Sequence, residues 1–279
     1  MTGRSDAREE VPFIVMSAPN GARRGKADHS GIPLSPRELA ENAQAILDSG
    51  ASILHLHVRG ESEQHTLDSQ RYRAAISAVR EQVGNRLVIQ ITTEACGIYS
   101  AEQQMAVVKE LKPEAVSIAL RELIPDPDIV GNAGRFFEWL QSNKVVPQYI
   151  LYSPQEVEWF EGLRQRGIFD DDLPFVLFVL GRYGTNDYGD PGDIDAYRRA
   201  LGDERIPWAV CCFGPLEDVA AQYAATAGGH ARVGFENNLL LPDGSEAPDN
   251  AVLVRLAAGH ARSADRRVAT ADDVRQLFR

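Results

Sequence analysis

Eight short runs rich in β-branched and aromatic residues recur along the chain, each followed by a longer stretch with helix signals. This alternation constrains the fold more than any other feature. The runs are Pro12 to Pro19, Ser52 to Arg59, Arg86 to Glu94, Ala115 to Leu120, Val145 to Tyr152, Phe175 to Gly181, Pro207 to Gly214 and His230 to Asn237. Their starts fall about 30 residues apart, the length of one strand-plus-helix unit. The intervening segments carry helix punctuation. Ser35 before Pro36 is a capping residue followed by a first-turn proline, and Gly50 closes that segment. Ser153-Pro154 repeats the device and stops at Gly167, while the second and seventh segments stop at Gly84 and at Gly228-Gly229. Eight such units predict an α/β protein, a closed (β/α)8 TIM barrel. A doubly wound open sheet is the competing architecture, but the first turn has no GxGxxG phrasing. With no linker or composition shift, residues 1–279 read as one domain with a short polar N-terminal tail and, in TADDVRQLFR, an extra C-terminal helix.

Charge narrows the partners. Lys+Arg number 29 against 40 Asp+Glu, a net charge of -11, which argues against nucleic acid, whose phosphates need a broad basic surface. No apolar run approaches the roughly 20 residues that span a bilayer, and MTGRSDAREE lacks the apolar core of a signal peptide. Cys96, Cys211 and Cys212 do not make a disulfide framework. The expectation is a soluble cytoplasmic protein without membrane or nucleic-acid partners.

A barrel directs attention to the C-terminal ends of its strands, where catalytic groups sit. On the second run, His55 and His57 are one residue apart, so both share a face opposite Leu54, Leu56 and Val58. The leucines and valine suit the helix-packed outside, leaving the imidazoles pointing into the barrel about 6.5 to 7 Å apart along the strand. That spacing lets both converge on one ion at roughly 2.0–2.1 Å; hydrogen-bonded interior histidines are the bland alternative. Glu236 is the best third donor, because Arg232, Gly234 and Glu236 share a parity on the last run. Two imidazoles and a carboxylate suit zinc, and also iron, cobalt or manganese.

Other polar groups fall at strand ends. Gln90, Thr92 and Glu94 share a parity on the third run, and an inward Glu94 is either a base or an arginine partner. Ser117 lies inward on the fourth run, with Arg121 and Glu122 just beyond, and Arg182 and Tyr183 follow the sixth. A buried Arg232 requires a carboxylate or an anionic ligand. Arg59 is expected to be a structural ion-pair residue. Arg23, Arg24, Lys26 and His29 cluster after the first run, either as a solvated face or as a holder of anionic groups at the mouth. His230 begins the last run, at the wrong end of the barrel for chemistry, and the two adjacent cysteines read as small core residues.

HLHVR, QITTE, FVLG and GGHARVGFENN together resemble the β-keto acid cleavage enzyme family, and the resemblance runs from Phe13 to about Phe278. It implies a zinc-bearing barrel, usually a homotetramer, that converts a small β-keto acid and acetyl-CoA to acetoacetate and a new acyl-CoA. By resemblance, His55, His57 and Glu236 match the zinc ligands, Thr92 and Ser117 match substrate-contacting hydroxyls, and Arg232 matches an arginine at the reacting centre. Members from lysine fermentation carry an acidic residue after the glutamate ligand and a glutamate in the first loop; here these are Asn237 and Arg23. Asn237 can orient a substrate but cannot take a proton, and Arg23 suits an anionic or neutral substrate over an aminated one. Glu94, where those members have glycine, is the replacement base. Arg23 and Arg182, with the hydroxyls, are the expected carboxylate readers. A hydrolase or carbon–carbon lyase working without CoA, and a barrel that binds a metabolite without turnover, are the alternatives.

Overall fold

The structure, a computed structural model, describes residues 11–125, 130–169, 173–184 and 187–278. The expected N-terminal tail lies outside them. All eight runs contribute a strand to a closed parallel barrel: β1 (Val15–Ser17), β2 (Ile53–Leu56), β3 (Val88–Thr92), β4 (Ala115–Ala119), β5 (Val146–Leu151), β6 (Phe175–Leu180), β7 (Trp208–Cys212) and β8 (His230–Val233). Each pairs with its sequence neighbours, and β1 closes the ring against β8 with Met16 opposite Arg232. The TIM-barrel expectation holds, and the open-sheet alternative does not.

Helices follow every strand: α1 (Pro36–Asp48), α2 (Ser69–Val83), α3 (Ala101–Leu111), α4 (Leu120–Leu123), α5 (Gly131–Ser142), α6 (Pro154–Gln165), α7 (Ile194–Leu201), α8 (Glu217–Thr226) and α9 (Asn250–Ser263). The caps form as the sequence indicates. Ser35 and Glu38 make a reciprocal capping box on α1, and the Ser153 hydroxyl accepts from Glu156 N–H at the start of α6.

Strand parity sorts the core into two layers. Leu54, Leu56, Ile89, Ile91, Val116 and Ile118 pack outward beneath the helices, while Met16, Ile53, Val88, Ala115, Ala119 and Val179 fill the barrel interior. The C-terminal α10 (Ala271–Leu277) lies across the N-terminal ends of the strands, where Phe278 stacks on Phe175 with centroids 4.6 Å apart. There His230 Nδ1 accepts the Ile14 N–H at 3.1 Å, the structural role expected of it. The barrel is thus plugged at one end and open at the other. No helix among the described residues is long and apolar enough to cross a membrane.

Two strands end sooner than the sequence suggests. The second run leaves the barrel after Leu56 and forms a two-stranded ribbon, Val58–Arg59 against His65–Thr66. The eighth stops at Val233 because Gly234 adopts φ +135 and its backbone abuts β1; a Cβ there would stand 2.5 Å from Ala18 O.

Candidate active site

At the open end lies a cavity of about 290 Å³, walled by residues from β2 to β8 and the loops that follow them. His55 and His57 project into it, and Glu236 approaches from the turn beyond β8. That turn is held by three backbone bonds: Glu236 N–H to Ala18 O at 3.0 Å, and Asn237 and Asn238 N–H to Gly234 O at 2.8 and 3.0 Å. Asn250 Oδ1 accepts Phe235 N–H, and Arg24 donates to Phe235 O at 2.7 Å. Strand parity is therefore not what places Glu236; a tight turn after a shortened strand does. On the other side, the first loop approaches so closely that a Cβ on Gly21 (φ +59) would lie 2.5 Å from Glu236 Cγ.

The three side chains present one donor atom each at mutual distances of 3.0 Å (His55 Nε2 to His57 Nε2), 3.5 Å (His55 Nε2 to Glu236 Oε2) and 3.4 Å (His57 Nε2 to Glu236 Oε2). Donors about 2.0–2.1 Å from a tetrahedral ion stand about 3.3–3.4 Å from one another. The triangle fits such an ion, and Glu236 Oε2 is buried with no hydrogen-bond partner among the described residues. Burial pushes His55 down to about 3, Arg232 and His57 adding to the effect against the pull of Glu236, so its ring is neutral near pH 7. Burial alone would raise Glu236, but Arg232 and the two imidazoles hold it below the usual carboxylate range. Two imidazole nitrogens and a carboxylate oxygen are a donor set that a divalent metal takes.

Arg232, buried within β8, meets the carboxylate its position requires: Nη2 lies 3.1 Å from Glu236 Oε1 and 3.4 Å from Cys211 Sγ. Thr92 and Ser117 line the wall, and Ser117 Oγ has no partner among the described residues. Glu94 stands past the end of β3, its Oε2 4.0 Å from His57 Nδ1 and its Oε1 3.3 Å from Cys96 Sγ. Burial and Glu94 push the Cys96 thiol up to about 12, so it serves as a donor to that carboxylate rather than as a nucleophile. Tyr183 is raised well above its ordinary value by burial and keeps its proton.

The first-loop cations separate. Arg23 lines the cavity, its guanidinium 5.3 Å from the centre of the Tyr183 ring, and no carboxylate among the described residues pairs with it. Lys26 pairs with Glu38, His29 contacts Glu246, and Arg24 holds the Glu236 turn. The expected cluster is thus one cavity cation and three structural groups. Arg59 is structural as expected, but through backbone carbonyls of Asn20, Gly21, Arg24 and Glu63 rather than an ion pair. Arg182 sits exposed at the rim, paired with Asp187 of its own loop.

Asn237 departs from expectation. It does not join the cavity wall, its side chain is fully buried, and both amide atoms lack partners among the described residues. The same turn that presents Glu236 takes Asn237 away, its carbonyl accepting Gly214 N–H at 3.1 Å. Sequence reasoning missed Glu217, a buried carboxyl at the start of α8 that accepts Gly234 N–H at 3.0 Å and so supports the turn. Burial raises it well above the carboxylate range; nothing in PLEDV marks it. It also missed His65, buried 5.6 Å from His57, whose Nε2 contacts the Glu94 carbonyl at 2.8 Å.

The sequence profile described as beta-keto acid cleavage enzyme matches residues 12–279. The chain is 27% identical to the 3-keto-5-aminohexanoate cleavage enzyme of Fusobacterium nucleatum, over 95% of this chain and 97% of that one. It is 25% identical to the 3-oxoadipate:acetyl-CoA acetyltransferase of Cupriavidus necator, over 96% and 94%. Among solved structures, the binary complex of ObcA with oxaloacetate superposes with a TM-score of 0.68 at 16% identity, covering 88% of this chain and 67% of that one. That likeness concerns the fold.

Proposed function

Since the chain belongs to the β-keto acid cleavage enzyme family, we propose that it exchanges acyl groups between a small β-keto acid and acetyl-CoA, yielding acetoacetate and a new acyl-CoA, with zinc at His55, His57 and Glu236. The observation that carries this reading is the buried donor triangle of 3.0, 3.4 and 3.5 Å facing a cavity that also holds Arg23, which no carboxylate among the described residues pairs, and the Ser117 hydroxyl, which has no partner among them. The metal would act as a Lewis acid toward the keto oxygen.

The chain's own residues supply the rest. A Claisen-type exchange starts with loss of the proton between the keto and carboxyl groups. Asn237 has no basic atom for it, and Cys96 and Tyr183 hold their protons. Two cavity carboxyls stand outside the donor triangle: Glu122 accepts Ala95 N–H at 3.0 Å, whereas Glu94 lies 4.0 Å from His57, and Glu94 takes the proton. Arg232 keeps Glu236 ionised and oriented. Ser117 and Thr92 offer hydroxyls to the substrate carboxylate, with Arg182 at the rim, and Arg23 favours a substrate whose far end is anionic or neutral over an aminated one. The thioester lies across the open end. A homotetramer in the cytoplasm completes the proposal.

The test is an incubation of zinc-loaded protein with acetyl-CoA and a panel of neutral, anionic and aminated β-keto acids, with CoA esters followed by mass spectrometry. Each acid is also run without acetyl-CoA. A new acyl-CoA that tracks the supplied acid is the expected result. Cleavage that proceeds without acetyl-CoA would replace the exchange with a hydrolase or lyase activity, and metabolite binding without any product would replace it with a binding role.

A further inference from the structure

Beneath the donor triangle, the barrel interior holds a line of polar contacts that none of the assigned roles uses. His55 Nδ1 lies 2.8 Å from Gln90 Oε1. Gln90 Nε2 donates to Gln148 Oε1 at 3.1 Å, and Gln148 Nε2 donates to Met16 Sδ at 3.5 Å. The four residues sit on β2, β3, β5 and β1, and each is at most 2% exposed. The line therefore crosses the barrel from one wall to another in a place without bulk water.

We propose that Gln90, Gln148 and Met16 form a one-way hydrogen-bond relay that holds His55 in the tautomer a metal ion requires. The direction is set at the far end. A thioether sulfur accepts and never donates, so Gln148 turns its NH2 to Met16 and its carbonyl to Gln90. Gln90 must then offer its NH2 to Gln148 and its carbonyl to His55. A carbonyl accepts only, so the imidazole proton resides on Nδ1 and the Nε2 lone pair faces His57 and Glu236. Reversing both amides would put a carbonyl against the sulfur and a proton on Nε2, closing the nitrogen to metal. Gln90 and Gln148 are positioning residues, and Met16 is the group that gives the relay its sense.

The inference rests on the metal reading above for its purpose, but the tautomer can be read without metal. Metal-free protein carrying 15N-histidine is examined by long-range 1H–15N NMR, and zinc affinity is measured by competition with a chromophoric chelator. Wild type is expected to show His55 protonated at Nδ1 alone. Gln148→Leu is expected to mix the two tautomers and weaken zinc binding by about 10-fold or more, the scale on which supporting partners of metal ligands act. Met16→Leu, a swap of similar volume that the fold tolerates, is expected to act in the same direction and serves if Gln148→Leu does not fold. Gln90→Glu keeps the acceptor and is expected to retain the Nδ1–H tautomer. An Nε2–H tautomer in wild type, or wild-type tautomer and affinity in the leucine variants, would overturn the relay. Failure of wild type to bind zinc would overturn the metal reading instead, and the tautomer result would still decide the relay.

Discussion

Arg232 and Glu236 divide one buried carboxylate: the guanidinium takes Oε1 at 3.1 Å, leaving Oε2 at 3.4 and 3.5 Å from the two imidazoles. Removing the arginine strands a buried charge, which costs about 3–5 kcal/mol in such pairs. Arg232→Met is therefore expected to lower the unfolding free energy of the metal-free protein by that amount, read as a lower midpoint in urea titrations. If the site takes zinc as proposed, adding zinc is expected to restore part of the loss, because the ion offers the carboxylate another cation. Equal midpoints for variant and wild type without metal would show that the pair contributes no net stability.

Glu94→Gln separates proton transfer from metal binding. Positioned general bases contribute about 10²–10⁴-fold in rate, so turnover should drop by that range while zinc stoichiometry stays at the wild-type value. A near-normal rate in this variant would remove Glu94 from the mechanism.

Arg23→Glu tests what reads the far end of the substrate. Like charges brought together across a binding surface cost several kcal/mol, so kcat/KM for an anionic keto acid should fall by at least about tenfold while an aminated acid improves. Parallel loss for both would mean that Arg23 shapes the loop instead of choosing the substrate.

The pH dependence of stability follows from groups buried without charge. His55 and His230 are pushed down to about 3, and His65 to about 4, in each case chiefly by burial. The unfolded chain binds these protons near pH 6.5 and the folded one does not, so stability present above 6.5 is lost as pH falls toward 4, by up to about 1.4 kcal/mol per pH unit for each histidine. Glu217 works in the opposite sense. Its raised folded value means that stability present below the ordinary carboxylate value is lost as pH rises. Glu217→Gln escapes that loss and should gain on wild type progressively from pH 4 to pH 8 in urea titrations. A constant difference across the series would show that Glu217 does not titrate on unfolding.

The sequence disclosed what strand parity and capping control, because both are local. Leu54, Leu56 and Val58 against His55 and His57 can be read from a period of two, and Ser35-Pro36 marks the start of α1 without any tertiary knowledge. Parity named Glu236 as well, but the strand it assumed ends three residues earlier, and the side chain arrives through a turn pinned to Ala18 and Asn250. The partners of Arg24 and Arg59 are carbonyls from 4 to 212 residues away, so charge counting alone placed the former in a mouth cluster and the latter in an ion pair. Asn237 was misplaced for the same reason: consecutive residues in a turn need not share the surroundings of consecutive residues in a strand.

A (β/α)8 chain joins every neighbouring pair of barrel strands by a connecting segment except one, the pair formed by its first and last strands. In this protein β1 lies at that seam, with His55 and His57 rising beside it from β2 and Glu236 reaching over from beyond β8. The donor triangle is therefore assembled from opposite ends of the polypeptide and exists only once the ring has shut. An ion held there, as proposed, would latch the join that covalent continuity leaves open, so that occupancy of the site would report that the last strand has docked and would oppose its release.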